Sequence, residues 1–253
     1  FCLPENQEKL LKEVIRRNEN VILVLIAGRP LVLPEEALQA KAIFNMWMPS
    51  AFGGTCLSEI LFGAVNPSGR LPVTMPLSLK NTQSYYAQIP GKRSPQGDGF
   101  DEVQRWPFGY GLSYTDFEYS DLRIDETTPI DGNVTISVKV TNTGHRTGKE
   151  VCEVYFQLKN RTVSRPIRQL VAFEKVELVP GQTAEIKFHI PVDIVGYYNM
   201  DHIFGIERGP VEIYVGGDSE HCALHGKTEV VGDFRTLDYH RKHISHSEVS
   251  IIN

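Results

Sequence analysis

Four cysteines are all the thiol this 253-residue sequence carries, at Cys2, Cys56, Cys152 and Cys222. Neither a C-x-x-C pair nor any other zinc spacing occurs among them. Reduced, mostly buried small hydrophobes are the expected state, with a disulfide framework as the other reading. Long apolar runs are missing too: Val21 to Ala27 is the longest, far short of the ~20 residues a bilayer-spanning helix needs. Basic charge is not in excess, since the net charge is −5, and there is no electrostatic case for nucleic acid or an anionic membrane surface. Phe1-Cys-Leu-Pro4 has neither a charged n-region nor an apolar h-region, so no signal peptide is visible. A start methionine is also lacking, and a processed product or a fragment is expected. No nucleophile elbow is present. Gly109-Tyr-Gly-Leu-Ser113 lacks the third glycine and the strand-to-helix setting that dinucleotide binding requires.

What remains is the composition of an ordinary globular protein, 41% apolar and 23% charged. The length fits one large domain or two modest ones, and a change of pattern near residue 76 argues for two. Asn66-Pro-Ser-Gly69 is turn chemistry. Leu71 to Met75 is extended, with Pro72 inside and Pro76 at its end, as suits an edge strand or a segment leaving a sheet.

Before that stretch the pattern is α/β. Pro4 to Arg17 predicts a helix with the stripe Leu10, Leu11, Val14 and Ile15. Val21 to Ile26 predicts a strand buried on both faces of a parallel sheet. Pro34-Glu35-Glu36 opens a second helix running to about Asn45. Met46 to Met48 reads as a short strand, and Thr55 to Phe62 as a third helix capped by Gly63. The first helix has no strand before it, as if the chain starts in mid-domain.

Leu77 to Trp106 is a long polar loop, a length usual for functional or mobile segments, and Trp106 to Phe117 a packed connector. From Phe117 onward, period-two runs alternate with turns. They cover 134–141, 150–158, 170–178, 184–190, 203–206 and 211–215, the spacing of an immunoglobulin or fibronectin type III-like sandwich. Residues after Gly217 read as a polar tail with one strand at 228–231. The expected fold is therefore two-domain: a partial open α/β sheet with helices, followed by an all-β sandwich. The limits are 1–80, a connector at 81–116, the sandwich at 117–217 and a tail at 218–253.

Several segments together resemble glycoside hydrolase family 3. Leu3-Pro-Glu-Asn-Gln7 is similar to the family's "LPGNQ", and Val24-Leu-Ile-Ala-Gly-Arg-Pro30 to its strand followed by "GRP". Leu61-Phe-Gly-Ala-Val-Asn-Pro-Ser-Gly-Arg-Leu-Pro-Val-Thr-Met-Pro76 is similar to "LFGDVNPSGRLPVTFP", and Pro107-Phe-Gly-Tyr-Gly-Leu-Ser-Tyr-Thr-Asp-Phe117 to "FPFGYGLSYTTF". The likeness covers about residues 1 to 217. It departs at Ser50-Ala-Phe52, in the loop 85–105 and in the tail. The resemblance implies a β-glucosidase or β-xylosidase type of enzyme built from a barrel, an α/β sandwich and a fibronectin-like domain. This chain would be the second half of the α/β domain plus the last domain.

Retaining glycoside hydrolysis needs two carboxyl groups ~5–5.5 Å apart, a nucleophile and an acid/base, with the acid held protonated by burial or by a like charge. The resemblance implies a nucleophilic aspartate in the barrel and an acid/base glutamate upstream of Phe1, so neither has a matched position here. Catalytic residues, cofactors and metals are therefore all expected to be none in this chain, which alone should be a non-catalytic scaffold. The implied partners are the upstream barrel, the first half of the α/β domain and an oligosaccharide or aryl-glycoside substrate. A homodimer is a further option, and nucleic acid and membrane are not expected. A cytoplasmic location is favoured over secretion. The rival reading is a stand-alone carbohydrate-binding or protein-interaction module.

Other residues able to carry chemistry have plainer explanations. Glu35 and Glu36 follow a strand's C-terminal end, where open α/β sheets place sites, yet first-turn helix acids explain them. Asp98 and Asp101, near Tyr85, Tyr86 and Trp106, could rim a sugar site or sit in a solvated loop. Trp47 reads as packing rather than a sugar platform. His240, His243 and His246 are spaced by three, but no acidic or cysteine ligands complete a metal set. The sequons at Asn133 and Asn160 matter only in a secretory pathway.

Overall fold

The computed structural model describes residues 1–81, 85–89 and 104–252. They form two units. One holds residues 1–65, 72–81, 85 and 104–108; the other holds 66–71, 86–89 and 109–252. The segment 66–71, which the sequence groups with the α/β part, thus clusters with the sandwich.

The first unit opens with α1 (Glu5–Arg17). Acids fall in its first turn and Arg16 and Arg17 in its last, both favoured by the helix dipole. Its i,i+4 pairs include Lys12 to Glu8 at 2.9 Å. The expected apolar stripe splits: Leu11 and Ile15 are buried, while Leu10 is 65% exposed. β1 (Ile22–Leu25) pairs in parallel with β2 (Ala42–Asn45), Ile22 beside Ala42 through Leu25 beside Asn45.

This pairing corrects two sequence expectations. The helix read over 34–45 is a short 3-10 turn at Glu35–Gln39, and the strand read at 46–48 lies earlier, at β2. Residues 37–44 contain good helix formers, but parallel pairing with β1 overrides that local preference. β1 is also not buried on both faces: only Leu25 is buried, and Ile22 is half exposed. Among the described residues β2 is its only sheet partner. α2 (Gly53–Leu61) ends as read, with Gly63 at φ +78°. β3 (Met75–Pro76) pairs with β4 (Gln104–Trp106), and Trp106 packs on a small cluster around Leu11, Ile15, Leu25, Leu31, Leu33 and Ala37.

The second unit is a sandwich. One sheet runs β16-β10-β7-β5, from β5 (Phe117–Ile124), β7 (Asn133–Asn142), β10 (Thr183–Pro191) and β16 (His246–Ile252). The other runs β6-β14-β13-β8-β9, from β6 (Thr127–Pro129), β8 (Gly148–Leu158), β9 (Gln169–Leu178), β13 (Gly209–Gly216) and β14 (Leu224–Val231). A small sheet joins β11 (Tyr197–Tyr198), β12 (Phe204–Ile206) and β15 (Arg235–Thr236).

Alternation builds the core. Val134, Ile136, Val138 and Val140 of β7 lie beside Ile190, Phe188, Ile186 and Ala184 of β10, all at most 1% exposed. The facing sheet supplies Cys152, Val154, Phe156, Ile213, Val215 and Leu178. Each such aliphatic or aromatic side chain contributes roughly 1.5–3 kcal/mol on burial. Residues past Gly217 are no tail: β14 pairs with β13, β15 with β12, and β16 with β10 from Thr183 to His189. β16 escapes sequence detection because it is a largely exposed edge strand with little apolar alternation.

Candidate functional site

Any glycosidase chemistry would need carboxyl groups, so their placement comes first. Glu35 sits in the 3-10 turn and ion-pairs with Arg105. Glu36 lies 3.4 Å from Lys12 Nζ, and it is held below its usual pKa by a backbone hydrogen bond and by that lysine. Asp98 and Asp101 fall outside the described residues. Trp47 is partly buried with φ at +51°. Tyr85 is exposed, and the Tyr86 ring stands edge-on to Tyr155 at 5.8 Å. His240 and His243 lie in a loop, and His246 stands beside His189 across the β10–β16 pair. Among the described residues no three His, Cys, Asp or Glu side chains are grouped to hold a metal ion.

A cavity of about 700 Å³ opens in the first unit between α1 and β1. Leu10, Val14, Ile22, Val24 and Ile26 line it, and Arg29 is its one charged lining residue. It is an apolar groove with no carboxylate among its described lining residues to polarise a glycosidic bond.

Buried carboxylates gather instead in the second unit, around β8. Glu150 and Glu153 are each 4% exposed and Asp218 is 9% exposed. A clasp made of two separated segments closes over them. Leu71 N–H donates to the Tyr110 carbonyl and Gly109 N–H to the Leu71 carbonyl, each at 2.9 Å. Asn66 Oδ1 accepts from the Ser113 hydroxyl at 3.0 Å and from Tyr114 N–H at 2.8 Å, while its Nδ2 donates to the Thr147 carbonyl. Arg70 donates to the Gly111 carbonyl and to Glu150. Two glycines make this approach feasible. A Cβ on Gly109, at φ +84°, would meet the Glu153 carboxyl and lie 2.8 Å from Asp218 Cα; one on Gly111 would collide with the Gly69 carbonyl.

Each acid is held differently. Glu150 accepts from Arg70 and from the Tyr119 hydroxyl at 2.7 Å. Asp218 accepts from the N–H groups of Glu220 and His221 at 2.9 and 2.7 Å. Glu153 takes the Tyr155 hydroxyl but has no ion-pair partner among the described residues. Burial pushes its pKa up to about 7, with Asp218 and Glu150 adding repulsion and Tyr155 and Arg70 opposing it. Burial also drives the Tyr155 hydroxyl and the Cys152 thiol upward. The arrangement can exchange a proton near neutrality, but backbone seals it from a ligand.

Sequence reasoning singled out the two clasp segments as motifs without seeing that they meet. It missed Glu150 and Glu153, whose only signal is two acids within a strand of otherwise buried positions.

The comparisons with known proteins follow the same segments. Residues 1–114 match the Glycosyl hydrolase family 3 C-terminal domain, and residues 150–219 match the Fibronectin type III-like domain. Residues 1–114 thus carry the C-terminal domain of glycoside hydrolase family 3. The chain is 37% identical over 230 residues to the periplasmic beta-glucosidase of Salmonella typhimurium, covering 87% of this chain and 30% of that protein. It is 34% identical over 244 residues to thermostable beta-glucosidase B of Acetivibrio thermocellus, covering 91% and 32%. The crystal structure of a beta-glucosidase from Listeria innocua in complex with laminaribiose superposes with a TM-score of 0.84 at 31% identity, covering 91% of this chain and 33% of that one. The chain thus spans about a third of the length of these family 3 relatives.

Proposed function

We propose that this chain is the non-catalytic C-terminal portion of a retaining glycoside hydrolase that cleaves β-linked glucosides or xylosides, with the nucleophile and the acid/base both supplied by polypeptide outside these residues. The observation that carries the reading is the joint match of the two family domains in order, on a chain that spans a third of its relatives. None of the acids weighed from sequence has a position in the family's catalytic motifs, and the buried carboxylates of the sandwich are covered by backbone. The apolar groove beside β1, with Ile22 and Ile26 exposed, suits packing against the rest of an α/β domain. Its partners are then the first half of that domain and the barrel, and its substrate an oligosaccharide or aryl glycoside. The domain limits at 80 and 116 belong to this same reading, with the sandwich running on through β16.

A nitrophenyl-glycoside assay on the 253-residue chain and on the longer parent protein tests it. Turnover by the parent and none by the chain is expected. Hydrolysis by the chain alone would overturn the assignment of the acids. Glucan binding without turnover by either would favour a binding module.

A further inference from the structure

The loop between β8 and β9 reads Lys159-Asn-Arg-Thr-Val-Ser-Arg-Pro-Ile-Arg168, four cations and no acid in ten residues of a protein with net charge −5. Two of these cations have defined hydrogen-bond engagements. Arg168 lies over the Tyr214 ring at 3.8 Å and donates to Cys222 Sγ at 3.2 Å. Arg161 donates to the Lys159 carbonyl and, at 3.1 Å, to the Gly209 carbonyl. Glu207 and Glu229 face it as counter-charges, although the Glu207 carboxylate already accepts from the N–H and hydroxyl of Thr162. Arg165 differs. Its guanidinium lies 4.3 Å from the centroid of the Tyr197 ring, and among the described residues it makes no ion pair and no hydrogen bond. The charged group that acts on it is Arg161, a like charge.

Seven buried side-chain nitrogen or oxygen atoms among the described residues lack a hydrogen-bond partner. Two of the seven belong to this one group, Arg161 Nε and Arg165 Nε, while the hydroxyl of Tyr197, a residue only 5% exposed, is directed at the Glu207 carboxylate. Buried polar atoms are normally paired, and an unpaired group signals a missing water or ion. A partly buried cation without a counter-charge is costly to desolvate, and burial lowers the pKa of both arginines. A neutral filler would leave that cost in place, whereas an anion offsets it. Guanidinium groups bind planar or tetrahedral oxyanions through paired N–H donors.

We propose that Arg165, flanked by Arg161 and Tyr197, is a binding site for an oxyanion, either an inorganic one such as sulfate or the carboxylate of an acidic sugar. The site uses the guanidinium edges as donors and the Tyr197 ring as a floor. It stands whether or not the catalytic reading holds.

The test is a nitrogen-15 NMR titration of the arginine Nε–H signals of the 253-residue chain with sulfate, glucuronate, chloride at matched ionic strength, and glucose. Saturable shifts of Arg165 with sulfate or glucuronate are expected, with binding at least tenfold weaker in Arg165→Gln and unchanged in Arg208→Gln, an exposed arginine outside the group. Tighter saturation by glucuronate than by sulfate assigns an acidic sugar, and the reverse order assigns an inorganic ion. Linear, unsaturated shifts with every salt overturn the proposal, as does saturation that survives in Arg165→Gln. The wild-type titration decides the matter by itself if Arg165→Gln fails to fold.

Discussion

The two units bury their apolar residues to very different extents. The sandwich encloses a contiguous cluster of twenty-four buried residues, whereas the α/β unit gathers six around Leu11 and Leu25. In the α/β unit Phe62 is 89% exposed, Met48 76%, Phe52 73% and Ile26 66%. The sandwich completes its own core because each inward face meets another face from the same unit. The α/β unit has a two-stranded parallel sheet, and such sheets are normally covered on both sides. One unit is built to stand alone, and the other presents surface that the described residues leave uncovered.

The largest break in that comparison should come from Phe188, packed at the centre of β10. Phe188→Ala is expected to cost about 3–5 kcal/mol, read as a fall in the urea midpoint of the sandwich. Leu11→Ala in the smaller cluster should leave that transition in place. Arg70→Met comes next. It strands Glu150 without its cation in a site 4% exposed, and a loss of about 2–4 kcal/mol is expected for breaking one side of a buried pair. The same equilibrium unfolding experiment checks it.

Glu153 sharpens the contrast through pH. Its folded pKa, about 7, lies above the ordinary 4.5, so the folded state holds the proton more tightly than the unfolded chain. The stability from that proton is full below about 4.5, falls as pH rises to about 7 and is absent above it. Glu153→Gln should remove this slope and make the chain more stable than wild type at pH 8, by on the order of 3 kcal/mol at ~1.4 kcal/mol per pKa unit. Thermal melts from pH 4 to 8 check both the sign and the window. Asn142→Ala follows at about 1–3 kcal/mol. Its fully buried amide accepts from the Thr115 hydroxyl at 2.7 Å and donates to the Leu178 and Arg146 carbonyls at 2.8 Å, and the change removes these three bonds.

The smallest effect is assigned to the open groove. Ile26→Lys should shift the melting of the isolated chain by less than about 0.5 kcal/mol, as for an exposed position, yet destabilise the longer parent protein if that face is packed there. Equal tolerance in both would remove the docking role given to the groove.

The sandwich was legible where both periodicity and turns were local. Residues 134–141 alternate strictly, and Asn142 to Gly144 turn the chain, so β7 could be placed within a residue. β2 was not, because residues 37–44 favour a helix by themselves and become a strand only through the parallel neighbour at β1. β16 was missed because an exposed edge strand is defined by its partner, β10, and not by its own pattern. The clasp was half legible: its glycines and prolines stood out, but their contacts join residues 47 and 48 positions apart.

Alone, then, the sequence determined the class of each unit, the strands whose faces alternate, the turns fixed by glycine and proline, and the family likeness carried by contiguous motifs. Those are properties of neighbours along the chain. Only the tertiary structure decided that β14 to β16 complete the sandwich, that three acids are buried under a clasp, and that Arg165 has no counter-charge among the described residues. Each of these depends on which distant residues supply the burial, the backbone and the charge around a side chain, and that is set by packing rather than by local order.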